Sequence, residues 1–252
     1  KHYNYIIGPT DTDSISFCKS DMSQFNPEEI EKLVNEINDI SPEFMDWDND
    51  GYYPACIALK AKNYVLWDGQ KKIIKGSAFK TSSKEVALKD MMEEIVDAMI
   101  FEKENELVNI YHKYIKEAMN VQDISRWTQK KTITRAILDC ESPTEKTRKN
   151  ESKVWDAIKD EEDKQEGNKI MLYPCIISLQ IQETQLKNGK TKRKEIKEVG
   201  LKLDKHWKND HDSEKLIERV YDTICIFESI LDMSQFINYG LVKNKELLKL
   251  IK

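Results

Sequence analysis

Two carboxylates, Asp11 and Asp13, stand one residue apart in Thr10-Asp11-Thr12-Asp13-Ser14. Apolar runs flank them, Tyr3-Asn4-Tyr5-Ile6-Ile7 before and Ile15-Ser16-Phe17-Cys18 after. This pattern predicts a tight β-hairpin carrying the acids at its bend. Residues i and i+2 of a strand share a face, and two close carboxylates repel unless a hard divalent cation such as Mg²⁺ neutralises them. A cation held there could polarise phosphate oxygens. A polar turn in which Asp11 only caps backbone N–H groups uses the same residue types, so the rest of the chain must decide between the two.

Downstream, Pro54-Ala55-Cys56-Ile57-Ala58-Leu59-Lys60-Ala61-Lys62-Asn63-Tyr64 places Ile57 and Leu59 in strand alternation. Tyr64-Val65-Leu66-Trp67 reads as a second strand, and Asp68-Gly69 is a two-residue hairpin signal before Gln70-Lys71-Lys72-Ile73-Ile74. A Lys and a Tyr two apart on a strand share one face, which predicts an ammonium donor for phosphate oxygens at Lys62 beside the ring of Tyr64. Lys75-Gly76-Ser77-Ala78-Phe79-Lys80 follows.

Taken in order, these segments resemble family B DNA polymerases, phage-like or viral members in particular. Asp11-Thr12-Asp13-Ser14 looks like the catalytic hairpin of that family, with Pro9 where a Tyr is usual. Lys62-Asn63-Tyr64 looks like its Lys-x-Tyr segment, and Lys75-Gly76 like the Lys-Gly element after it. The resemblance implies that Asp13 is a direct ligand of the catalytic Mg²⁺ ions, with Asp11 assisting. It implies that Lys62, Tyr64, Lys75 and Lys80 contact the primer strand, Lys80 standing where the family often has Arg. The stretch Asp123-Ile124-Ser125-Arg126-Trp127-Thr128-Gln129-Lys130-Lys131-Thr132-Ile133-Thr134 is similar to the entry to the thumb, with Lys130 and Lys131 as further DNA contacts. Gly167-Asn168-Lys169-Ile170-Met171-Leu172-Tyr173 is similar to a thumb strand. The implied partners are primer-template DNA, a dNTP and the remainder of a polymerase: exonuclease, fingers and the rest of the palm, including a second metal-binding Asp. No segment here matches that Asp or the fingers Lys, and the chain reads as part of something longer.

Composition bounds these readings. The 252 residues suffice for one large or two small domains. A net charge of −5 excludes a generic nucleic-acid coat, so any DNA contact must come from local clusters of Lys and Arg. Such clusters lie at residues 71–84, at Lys130 and Lys131, and at residues 187–194; the last is expected to be a solvated face. No apolar run approaches the roughly 18 residues of a membrane span, so no membrane partner is expected. Five scattered cysteines without a Cys-x-x-Cys pair are expected to be reduced core residues of an intracellular protein; the resemblance implies a bacterial cytoplasm or a viral replication compartment. His2, His112, His206 and His211 lack zinc-site spacing, and the last two are expected in a polar loop. Asp46-Trp47-Asp48-Asn49-Asp50-Gly51 copies half of a calcium loop, but Ile57 stands where the bidentate Glu belongs, so a plain acidic turn is expected.

The elements that must position these residues follow from pattern. Asn26 caps a helix starting at Pro27, whose stripe Ile30, Leu33, Val34 and Ile37 should pack on the sheet. Ser82 and Glu85 form a capping box before a Met-rich helix, and a second helical run covers Leu107 to Met119. Asn188-Gly189 predicts a hairpin between strands 169–186 and 190–203, and a last helix is expected over 213–231. The expectation is an α+β fold: residues 1–82 as the C-terminal part of a palm with an antiparallel sheet and covering helices, then residues 83–252 as a mostly helical thumb with a β-hairpin. The expected activity is template-directed nucleotidyl transfer by a two-metal mechanism, absent in this portion alone. The alternative is a noncatalytic duplex-binding module with a vestigial acidic hairpin.

Overall fold

The computed structural model describes residues 4–77, 79, 84–142, 149–185 and 191–239, with backbone alone for 182–185 and 191–195. They form an α+β protein with antiparallel sheets. Two compact units emerge, Lys1–Lys80 with Met99–Glu102, and Thr81–Ala98 with Lys103–Lys252. A single cut between residues 82 and 83 would give 99–102 to the second unit. The structure returns them to the first, where Phe101 meets Trp67 edge-on with ring centroids 5.3 Å apart.

In the first unit, β1 (Tyr5–Thr10) pairs antiparallel with β2 (Ile15–Lys19). The register shifts between Ile7 and Thr10, where Pro9 has no N–H for the ladder. Tyr5, Phe17 and Phe25 pack together with centroids 5.4–5.9 Å apart. Asn26 caps α1 (Pro27–Ile40), and a reciprocal bond between Glu29 and the Asn26 N–H completes a capping box. The Lys19 ammonium, 2.7 Å from Glu29, ties β2 to that first turn. The apolar stripe of α1 is half-buried, and no α1 residue is fully buried.

A second, separate sheet has the order β3-β4-β5, from Ala55–Lys60, Asn63–Trp67 and Lys72–Lys75. As the middle strand, β4 buries Asn63, Tyr64, Val65 and Leu66 on both faces. The Asp68-Gly69 turn forms as expected. The Asp68 carboxylate accepts N–H bonds from Gln70 and Lys71, both 2.8 Å, and Gly69 supplies a φ of +96°.

α2 (Val86–Ile100) belongs to the second unit as far as Ala98, and α3 (Leu107–Met119) follows in that unit. Ser82 lies outside the described residues. Glu85, expected in a capping box, instead has a buried side chain that pairs with Arg219. Met91 and Met92 are core residues, as their spacing implied. β6 (Gln129–Thr132) is followed by the short α4 (Arg135–Leu138) and α5 (Lys149–Ile158), and then by the long ribbon β7 (Lys169–Gln185) and β8 (Thr191–Leu203). β6 pairs with the start of β7, Lys130 opposite Met171 and Lys131 opposite Ile170, so the sheet order is β6-β7-β8. The Asn188-Gly189 turn lies outside the described residues. Under the sheet, α5 closes a core of Ile133, Ile137, Val154, Ile158, Leu172 and Leu203. Asp212 caps α6 (Ser213–Ile224), which ends seven residues before the expected 231. There the bonding tightens to a 3₁₀ turn over Cys225–Phe227, which carries Phe227 into the core.

Tyr173 and Lys202 converge on Asp210. The phenol donates to Asp210 Oδ1 at 2.7 Å and the ammonium pairs with Oδ2. Burial raises the Asp210 carboxyl, but the bonds from Lys202 and Tyr173 outweigh it and hold the group below the usual carboxylate range. A depressed carboxylate stabilises the fold above its unfolded pKa, about 4, and that contribution is lost as pH falls through the lower folded value. Thermal melts across pH 3–5 should therefore drop less steeply for Asp210→Asn than for the parent, although the variant is less stable at pH 7.

All five cysteines are free; Cys140 and Cys175 are buried, but Cys56 is exposed rather than a core residue. His206 is exposed at the end of a 3₁₀ turn, Asp204–His206, beside Glu161, whereas His211 is half-buried and bridges to Cys175, contrary to the polar-loop expectation. No helix among the described residues is long and apolar enough to cross a membrane.

Candidate functional site

β1 ends at Thr10 and β2 begins at Ile15, so Asp11 and Asp13 occupy the turn itself. Strand alternation therefore does not set their directions, which corrects the sequence argument. The Asp11 N–H closes the turn on the Ser14 carbonyl at 2.9 Å. The Asp11 carboxylate accepts the Thr12 N–H at 2.8 Å, the turn-capping role open to it from sequence. It also has a second partner. The Lys62 ammonium lies 3.3 Å from Asp11 Oδ1 and 3.4 Å from Thr12 Oγ1, fifty residues away in sequence. The Thr12 N–H first, and then Lys62, hold the Asp11 carboxyl below its usual range. Asp13 is exposed and makes no hydrogen bond or ion pair among the described residues.

Lys62 does not reach this position from a strand. β3 ends at Lys60 and β4 begins at Asn63, which leaves Ala61 and Lys62 as the turn, with Lys62 in the left-handed region at φ +58°. Lys62 and Tyr64 thus do not share a strand face as expected. Tyr64 points into the sheet, 6% exposed, with burial first and then the charge of Asp11 raising its phenol; Asp13 adds to the effect. In the ladder, Tyr64 stands opposite Lys75, and opposed residues share a face. The structure therefore brings Asp11, Asp13, Lys62, Tyr64 and Lys75 to one end of the first unit. Lys80 lies outside the described residues. Lys130 and Lys131 are exposed on β6 in the second unit.

Gly76 explains why a glycine follows Lys75. It has a φ of +100°, and a Cβ there would sit 2.6 Å from Asn63 Cγ and nearer still to the Lys62 carbonyl oxygen. Thr12, Asn63 and Gly76 are thus site residues beyond those the sequence singled out for contact. Only Gly76, as a glycine ending a strand, carried a signal for it. Gly76→Ala is expected to lower stability by about 2–4 kcal/mol, from the left-handed φ plus a clash with backbone. Urea unfolding checks this, and the same shift should open the Lys62 to Asp11 contact.

Among the described residues, no cluster of three or more His, Cys, Asp or Glu side chains stands ready to hold a metal. Ile57, where a calcium loop needs its Glu, is a buried β3 residue. Asp13 offers a solvent-open carboxylate of the oxygen type a hard cation takes, whereas the Asp11 carboxylate is taken up by the Thr12 N–H and Lys62, so the two do not by themselves make a formed metal site. Compared with known proteins, the chain matches no family model and no curated sequence.

Proposed function

We propose that this chain is the C-terminal palm and thumb portion of a family B DNA-directed DNA polymerase, with Asp13 and Asp11 contributing to a two-metal site and Lys62, Tyr64 and Lys75 steadying the primer end. The observation carrying the reading is the meeting of Lys62 with Asp11 and Thr12. Two segments that resemble the family's motifs separately, far apart in sequence, lie against each other in the first unit.

The chemistry each group offers follows from its surroundings. Mg²⁺, where bound, stabilises the attacking 3′ oxygen and the leaving phosphate oxygen. Asp13, open to solvent, is the carboxylate available to it. Asp11 is already neutralised by Lys62, so Lys62 must yield when Asp11 takes up a cation. Once freed, its ammonium is a donor for a primer phosphate. Tyr64 stays protonated, because its phenol is raised, and at 6% exposure its ring supports the strand opposite Lys75 from within the sheet. In the second unit, the exposed pair Lys130 and Lys131 suits phosphate contacts without sequence preference.

The purified 252-residue chain should bind a primer-template duplex with affinity that falls steeply with salt, and should not extend the primer. Lys130→Ala with Lys131→Ala should reduce the slope of log K against log salt by about 2. Primer extension by the chain alone would refute the incomplete-site reading, and a salt-independent affinity would refute the DNA contact.

A further inference from the structure

We propose that the outer edge of β8 is a docking site for an extended acidic peptide segment of a partner protein, which adds there as a strand. This goes beyond the polymerase reading and does not depend on it. β8 is an edge strand, because β7 is its one neighbour in the sheet order β6-β7-β8. The direction of its peptide groups can be read from β7. The Pro174 carbonyl accepts from the Asp212 N–H at 2.8 Å, and the Ile176 N–H donates to the Asp210 carbonyl at 3.1 Å. Both groups therefore point away from β8. Their ladder partners are Leu201 and Val199, and in an antiparallel pair residues that turn away from each other do so together. The N–H and C=O groups of Val199 and Leu201 thus face outward, and among the described residues no loop or turn backbone bond reaches them.

What they face is a cleft of about 680 Å³ between β8 and α5, lined by all six consecutive residues from Glu198 to Leu203. Side chains alternate along a strand, so a cavity that touches six in a row reaches the strand's edge; Cys175 and Ile177 of β7 line it too, so it runs from one face of the sheet round to that edge. Natural edges are usually blunted by charge, proline or covering segments. The stretch Val199-Gly200-Leu201 has neither charge nor proline; Gly200 is itself buried, because the Ile177 side chain fills the space a Cβ would take.

Charge selects the occupant. Lys202 is matched by Asp210, Lys159 lies 3.8 Å from Asp156, and Glu198 accepts from Ser178 at 2.9 Å. Lys153 on α5 and Lys208 beyond β8 line the same cleft with no ion-pair partner among the described residues. Glu198 keeps its negative charge, since the Ser178 hydroxyl is neutral, so two unmatched positive charges stand against one negative at the rim, a positive balance in a chain of net charge −5. A bare edge offers alternating donors and acceptors. Its carbonyls repel phosphate oxygens but accept from the N–H groups of a peptide strand, so a peptide fits where a nucleic acid strand does not. Acidic side chains on that peptide would reach Lys153 and Lys208.

The test uses the full 252-residue chain and a fluorescent eight-residue peptide of alternating valine and glutamate, followed by anisotropy and by hydrogen exchange. The expected result is saturable binding with slowed exchange at the Val199 and Leu201 amides. Binding should weaken at least tenfold when the peptide is N-methylated at its valines, and also with Val199→Pro, a change an edge position tolerates because that N–H is outside the ladder. Lys153→Glu with Lys208→Glu should weaken it likewise. If Val199→Pro fails to fold by circular dichroism, the N-methylated peptide and the charge variant decide. Three outcomes would overturn the proposal: no saturable binding, equal binding of the N-methylated peptide, or protection of these amides by oligothymidylate or by self-association of the chain in place of the peptide.

Discussion

Arg219→Met is expected to destabilise the second unit by about 3–5 kcal/mol, seen as a lower urea midpoint at unchanged m-value. Glu85, just before α2, is 1% exposed, and its carboxylate pairs with the Arg219 guanidinium on α6. Removing one partner leaves a charge in a site that water does not reach, which costs far more than the pair itself contributes. The companion variant Glu85→Leu with Arg219→Met removes both charges and keeps apolar volume, so it should recover most of the loss. If the single and double variants are equally unstable, the pair is not coupled and the argument fails. If unfolding proceeds in two steps, the later-assigned transition of the second unit is the one to compare.

That pair also marks the limit of reading this sequence. Glu85 and Arg219 are 134 residues apart, and neither carries a local sign of the other. Local signs did well where the chemistry is local. Asn26-Pro27 opens α1, Asp68-Gly69 turns between β4 and β5, and apolar spacing gives α3. The Ala61-Lys62 turn was missed for a physical reason. Neither residue belongs to the Gly, Asn or Asp set that signals a tight turn, and Lys62 takes φ +58° because the strands on both sides demand it. β6 was illegible for a similar reason: Gln129-Lys130-Lys131-Thr132 is exposed throughout and has no apolar period, so its pairing with β7 alone defines it. At the candidate site, residue types were readable from sequence, while the ion pair between Lys62 and Asp11 required the fold.

The sharpest functional test lies at Asp13. On the polymerase reading proposed above, in a protein that joins this chain to the palm and fingers segments which that reading calls for, Asp13→Asn is expected to lower the rate of primer extension at least about 100-fold, more than the 10–100-fold typical of residues that only support a metal ligand. Duplex binding should change little, since Asp13 repels phosphates if anything. Asp11→Asn should act differently. It weakens the contact with Lys62 and keeps the Thr12 turn bond, so its effect on rate should be smaller and accompanied by a change in primer affinity. Lys62→Ala should mainly raise the apparent KM for primer. This ordering follows from the geometry: one carboxylate is open to solvent, and the other is already answered by an ammonium. A vestigial hairpin in a noncatalytic binding module predicts the opposite pattern, with extension indifferent to Asp13 and duplex affinity sensitive to Lys62, Lys130 and Lys131 alone.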